Sequence, residues 1–279
     1  MAAVAGIPKA AVKAAVPTAK CTRTPTAATL ARRVVAAAVT LAALPLHLRT
    51  VATPLGPFSV YVDGDGAVRC CHWQRCPRGD AAALEAEARE VCAEMQTRWY
   101  RSTAVTLARV WPEEPATTAA AEARPGDVAV ALLSNYFQCP SPSAGRPAAL
   151  EKLLLQVPVV YPTATTAFTS QTWTTLRQTV PSGDVISYKG LGVRVNNALL
   201  RSASAAAAPR AVGAAMAANP IPVIVPCHRV VASSGSLRGY GLGLRYKVWL
   251  LRHEQATVAA EVLRACEDEA AVSTAASRR

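Results

Sequence analysis

The sequence predicts an α/β N-terminal domain followed by a mainly α C-terminal domain that carries a helix-turn-helix. Three observations predict it. Short β-type runs separated by Gly, Pro and Asp open the ordered text, a long helical repeat follows them, and short helices with small side chains close it around a proline-framed cysteine. The 279 residues suffice for two modest domains and a tail. The expected divisions are an extension over 1–46, a support domain over 47–165, a second domain over 166–257 and a tail over 258–279.

Taken in order, Arg49–Pro54, Phe58–Val62 and Ala67–Trp73 read as strands. Gly56-Pro57 and Asp63-Gly64-Asp65-Gly66 supply the turns between them. Ala81–Tyr100 reads as a helix, because Leu84, Ala88, Val91, Cys92, Met95 and Trp99 recur at helical spacing. The stretch 111–147 is rich in Pro, Ala, Ser and Thr and reads as a partly ordered connection with a helix at Val128–Gln138. Leu150–Tyr161 adds a last apolar piece, and nothing in this half reads as catalytic.

In the second half, Thr169–Thr179 is predicted helical and stops before Pro181-Ser182-Gly183. Val185–Tyr188 is a short turn or strand opening onto another helix, whose start Gly190 and Gly192 weaken. Pro209 suits a first helical position, and Arg210–Ala218 continues it with Ala211, Gly213, Ala214 and Ala215. Two helices joined by a turn, the second small-surfaced and opening on an arginine, read as a helix-turn-helix; an ordinary αα-hairpin has the same pattern.

A net charge of +12 and pI near 9.7 favour a polyanionic partner. The surplus is concentrated in the second half. From Phe168 to Gln255 there are ten basic residues against two acids, Asp184 and Glu254. Eight cysteines in a chain this long do not form a secreted disulfide framework, so a reducing compartment is expected. Cys70-Cys71-His72 with Cys76 suggests a metal, but adjacent strand residues face opposite ways and no second ligand pair lies at zinc spacing. Residues 1–46 are Ala-rich and basic with no acid, as in a transit peptide or a disordered extension. The run Val34–Leu46 is broken by Pro45 and too short to span a bilayer, so no membrane role is expected.

The stretch Ile221–Val231 concentrates the chemistry. Pro222 and Pro226 fix their own φ and push their predecessors out of the α region. The segment is therefore expected to enter extended, bury its Val and Ile side chains and bend at Pro226. Cys227, followed at once by His228 and Arg229, is then a candidate thiolate nucleophile on a rigid mount beside cationic groups.

Pro226-Cys227-His228-Arg229-Val230-Val231, preceded by Asn219-Pro220-Ile221-Pro222, resembles the active-site signature of the O6-alkylguanine-DNA alkyltransferases, or methylated-DNA–protein-cysteine methyltransferases. The similarity takes in Phe168-Thr169, Gly183–Tyr188, Pro209–Gly213, Gly239-Tyr240-Gly241 and Lys247–Glu254. It implies a winged-helix-like second domain that turns the lesion out of duplex DNA and moves its alkyl group irreversibly onto Cys227, once per molecule. His228 is the implied base, working through a bridging water, and Glu254 the carboxylate that supports its imidazolium. Tyr188 is implied to turn the phosphate and to protonate the leaving guanine. Arg210 is implied to fill the gap in the stack, with Ala211 and Gly213 on the same DNA-facing helix. Asn219, Val230, Tyr240 and Gly241 are implied to form or brace the guanine pocket, and Ser233, Ser234 and Lys247 to touch DNA.

The resemblance implies a monomer that works on double-stranded DNA in the nucleus, or in cytoplasm or mitochondria if the extension directs it there. No cofactor is expected; some relatives hold a structural zinc, for which no full ligand set is found here. The surplus at 196–208 departs from the family pattern, and Gly241 stands where the family often has serine. The competing readings are a non-catalytic alkyl-lesion-binding protein and a cysteine hydrolase.

Overall fold

A computed structural model describes residues 42–75, 80–111, 123–139, 146–199, 209–237 and 240–258. Strands β1 (Ala42–Val51), β2 (Phe58–Val62) and β3 (Val68–Trp73) form an antiparallel meander, and β4 (Thr103–Val110) adds parallel to β1. The sheet order is β3-β2-β1-β4. In the β2–β3 turn, Asp63 Oδ1 accepts from the N–H groups of Asp65 and Ala67. Gly66 there has φ +80, and a Cβ on it would come within 2.9 Å of Gly126 N. Only glycine meets both conditions.

The sheet is covered on both faces, following the two-residue alternation of strand side chains. One face, with Leu46, Leu48, Tyr61 and Cys70, packs on helix α1 (Ala81–Arg98) through Ala88, Val91, Cys92 and Met95. Asp80 caps α1 by accepting from Ala83 N, a contact worth about 1 kcal/mol. The opposite face, with Phe58, Val60, Val62 and Trp73, packs on α2 (Asp127–Gln138) and α3 (Arg146–Gln156). That second cluster runs on without a break into α4 (Ala167–Thr179), α5 (Tyr188–Ala198) and α6 (Pro209–Ala217). Trp173 of α4 is fully buried, and its indole N–H donates to Ala215 O of α6. A two-stranded parallel pair, β5 (Ile186–Ser187) with β6 (Val230–Val231), and helix α7 (Leu244–His253) complete this half.

Four local expectations need correction. β1 starts at Ala42 instead of Arg49, inside the stretch 1–46 expected to be an extension. Its first residues are held by β4, a strand the sequence did not announce because only Val105 of its eight residues is buried. Helix α3 begins at Arg146, ahead of the apolar piece expected from Leu150. The segment Ile221–Val225 does not enter extended. Val225 N donates to Ile221 O at 2.9 Å, closing a tight turn with Val223 at φ +74. A β-branched residue is strained there, at a cost on the order of 1–3 kcal/mol. The rest of the expected extension, the tail beyond 258, Cys76 and most of the 196–208 surplus lie outside the described residues.

Candidate active site

Cys227 sits where the strained turn meets a single 3-10 turn, Cys227–Arg229. Pro226 has φ −80 and ψ 62, and Cys227 N donates across it to Val225 O at 2.8 Å. This is an inverse γ-turn, for which proline's fixed φ is suited. The turn is braced from two sides. Asn219 accepts from Ile221 N with Oδ1, while its Nδ2 donates to Val225 O at 3.0 Å and lies 3.2 Å from Cys227 Sγ as a donor. From the sheet, Cys71 N donates to Pro220 O at 2.9 Å and Cys71 Sγ donates to Pro222 O at 3.2 Å. The outer edge of β3 thus grips the reactive loop at Cys71, while Cys70 faces α1 on the other side. Among the described residues no three His, Cys, Asp or Glu side chains gather at metal-binding spacing.

Behind Cys227 lies a buried ionic cluster. His228, Arg229 and Glu254 are all fully inaccessible to solvent. Arg229 Nε and Nη2 donate to the two oxygens of Glu254 at 2.8 Å each. Its Nη1 donates to Glu151 Oε2 at 2.8 Å and to Val180 O at 2.6 Å, and Nη2 also donates to Ser182 Oγ at 2.8 Å. These are five bonds for the five donors of a guanidinium. Tyr136 of α2 donates its hydroxyl to Glu254 Oε1 at 2.8 Å. His228 Nε2 lies 3.2 Å from that same oxygen, close enough for an ion pair but off the line of a hydrogen bond, and its Nδ1 has no protein partner.

The electrostatics follow from this packing. Glu254 is buried, yet the imidazole and guanidinium beside it hold its carboxyl far below the usual range. Burial lowers the proton affinity of His228 more than Glu254 restores it, so the imidazole rests neutral and can accept a proton. Burial also raises Cys227 above an ordinary thiol, against the downward pull of Asn219 and Lys247. The expectation of a standing thiolate is therefore corrected: Arg229 spends its charge on two carboxylates behind the turn, and the resting group is a thiol. Tyr188, half-buried at the first position of α5, is raised by desolvation and then by Cys227, so its phenol keeps its proton.

A cleft of about 210 Å³ beside Cys227 is lined by Asn219, Met216, Pro222, Tyr240 and Gly241, and from the N-terminal half by Trp99. Of the residues predicted from sequence, Cys227, Asn219, Tyr240 and Gly241 meet there. The Tyr240 hydroxyl is buried and approaches Cys227 without hydrogen-bond geometry. His228 and Glu254 meet behind the sulfur, Glu254 as the capping residue of α7. Val230 is buried, with its carbonyl taken by Lys247.

Arg210 and Ala211 are exposed on α6, and a Cβ placed on Gly213 of that helix would lie 4.0 Å from the Tyr188 ring. Ser233 and Ser234 are exposed on a turn. Lys247 was expected on DNA, and burial corrects this: it is 1% exposed, with its ammonium donating to Val230 O at 2.8 Å. Arg177, counted in the basic surplus, is spent in the same way on the carbonyls of Leu154, Leu155 and Val157. Cys71, Tyr136 and Glu151 were missed. No local pattern marks these roles, Cys71 having stood out only as a metal candidate, since the partners lie 78 to 151 residues away.

Residues 167–256 match the family described as 6-O-methylguanine DNA methyltransferase, DNA binding domain. A methylated-DNA–protein-cysteine methyltransferase of Salmonella typhimurium is 31% identical over 204 residues, covering 73% of this chain and 92% of that protein. The human protein of the same name is 46% identical over 88 residues, or 32% of this chain and 39% of that one. A crystal structure of the Mycobacterium tuberculosis O6-methylguanine methyltransferase is 23% identical, covering 77% of this chain and 96% of that chain at a TM-score of 0.46. The Salmonella relative is matched across nearly its whole length, and on that ground the chain belongs to the methylated-DNA–protein-cysteine methyltransferase family.

Proposed function

We propose that the protein repairs DNA by moving the alkyl group of O6-alkylguanine irreversibly onto Cys227. The observation that carries this reading is a thiol at the wall of a cleft, directly before a neutral buried imidazole that is itself in contact with a carboxylate. The proton of Cys227 passes through a bridging water to His228, and Glu254 supports the imidazolium that results. The thiolate then attacks the alkyl carbon in line. A C–S bond forms, the C–O6 bond breaks, and its electron pair passes to the guanine. Tyr188 gives its proton to N3, so the base leaves neutral, and the phenolate is afterwards reprotonated. The product is a thioether that the site has no means to cleave, so each molecule acts once.

The DNA-facing element is α5–α6, read as a helix-turn-helix. The small, exposed outer face of α6 permits close approach to the groove, and Arg210 takes the place of the everted base. Ser233 and Ser234 contact phosphate, and Val230, Tyr240 and Gly241 shape the guanine pocket. The partner is duplex DNA bound by a monomer, without an organic cofactor.

A mass spectrum taken after exposure to methylated duplex DNA tests the reading. It should show one added methyl, on Cys227, with one lesion repaired per molecule. Tight binding with no adduct would make the protein a lesion sensor instead. Arg210→Ala should slow repair of duplex lesions at least tenfold while leaving reaction with free O6-benzylguanine within twofold; equal losses on both would remove its role in base eversion.

A further inference from the structure

The proton relay reads as a property of the C-terminal half, but one of its oxygen atoms is held from the other half. Glu254 Oε1 is the carboxylate oxygen nearest His228 Nε2, at 3.2 Å. The same atom accepts from the Tyr136 hydroxyl at 2.8 Å and from Arg229 Nη2 at 2.8 Å. Tyr136 is fully buried on α2, between Phe137 and the ring of His253, whose Nε2 donates to Tyr136 O at 2.7 Å. The phenol is thus shielded from solvent and held between two rings. Its own ionisation is suppressed by burial and by Glu254, so it acts only as a donor.

We propose that Tyr136 is a positioning residue that fixes Glu254 Oε1 against His228 and thereby sets how readily His228 accepts the proton of Cys227. This rests on the reading of His228 and Glu254 as the relay and deepens it: the N-terminal half tunes the chemistry in addition to supporting the fold. The physical basis is competition for one oxygen. Each donor on Oε1 withdraws charge that would otherwise stabilise an imidazolium, and hydrogen bonds to a charged acceptor are the strong kind. Removing the Tyr136 hydroxyl returns charge to Oε1 and raises the proton affinity of His228.

The other groups facing the pair are accounted for. Arg229, anchored by Glu151 from α3, keeps both Glu254 oxygens occupied, and Lys247 from α7 opposes protonation of His228. Tyr240 lies on the Cys227 side and is influenced by Glu254 at longer range. None of these contacts is altered by replacing Tyr136 with Phe, which keeps the ring and deletes one oxygen.

The test compares the pH profile of methyl transfer from duplex DNA for the full chain and for Tyr136→Phe, together with the imidazole NMR titration of His228 in both. In the variant, the acid limb and the His228 titration should both move upward by about one pH unit, a tenfold change in the protonation equilibrium, while the rate on the alkaline plateau stays within twofold. A fluorotyrosine placed at 136 is a stronger donor, should move both readings downward, and serves also if Tyr136→Phe does not fold. Phe137→Leu disturbs packing on the same helix without touching Glu254 and should leave the profile in place.

Superimposable profiles for the unaltered protein and Tyr136→Phe, or the same displacement from Phe137→Leu, would overturn the proposal. If the unaltered protein transfers no methyl at all, the repair reading fails; the His228 titration still decides whether Tyr136 governs the pair.

Discussion

His228 and Arg229 are consecutive, equally buried and in contact with the same carboxylate, yet they are satisfied to opposite degrees. Every donor of Arg229 is matched by an acceptor at normal distance. His228 has one nitrogen near Glu254 in poor alignment and one with no protein partner. A saturated cation is a structural rivet, because moving it would strand buried charge. An under-satisfied imidazole is free to gain and lose a proton. The 3-10 turn separates the roles by pointing successive side chains in different directions.

The contrast can be broken most completely at the sulfur. Cys227→Ala should abolish methyl transfer while leaving affinity for duplex DNA within a few fold, measured by adduct mass and by binding at fixed salt. Next in size, His228→Gln should slow transfer by about 10²–10⁴-fold and change stability by less than about 2 kcal/mol, because no buried charge is orphaned. Arg229→Met is expected to do the reverse. It leaves Glu254 and Glu151 without their shared cation and should cost about 3–5 kcal/mol in chemical denaturation; a well-folded but inactive Arg229→Met protein would put the guanidinium in the chemistry instead.

The smallest effect is in acid stability. His228 is depressed from its ordinary 6.5, so below that pH the unfolded chain takes up a proton the folded one refuses, and stability falls. Glu254 is depressed from 4.5, so its contribution is present above that value and is lost as the pH drops further. Denaturation midpoints should therefore fall in two stages, one beginning near pH 6.5 and one near 4.5. His228→Gln should shrink the first stage, leaving the share of His47 and His72, which burial also depresses, and should weaken the second, because His228 helps to hold Glu254 down. An undivided decline in both proteins would show that the two groups do not titrate separately.

The sequence carried the nucleophile, its base and the distant Glu254 because the ordered motif around Pro226–Val231 and Lys247–Glu254 places them without need of geometry. It also announced α1, β2, α2 and α4 to within two residues, since each has one dominant period and a clear cap or breaker. What stayed hidden is relational. β4 exists as a strand because β1 is beside it, and Ala42–Leu46 became sheet for the same reason. The fate of a cation was equally illegible: Arg177, Arg229 and Lys247 count as basic in composition but are spent on internal carbonyls and carboxylates. Val223 at φ +74 could not be foreseen either, because local preference opposes it and only the surrounding braces sustain it.

The unbroken apolar cluster that passes from the sheet through α2 and α3 to the helices around Cys227 means that neither half is a transplantable module. Cutting the chain near residue 165 would bare Phe58, Leu133 and Leu150 on one fragment and Trp173 and Val225 on the other. It would also take the Tyr136 hydroxyl from Glu254 and the Glu151 carboxylate from Arg229. Such fragments should melt without cooperativity, whereas the joined chain loses its sheet and its reactive loop in a single event.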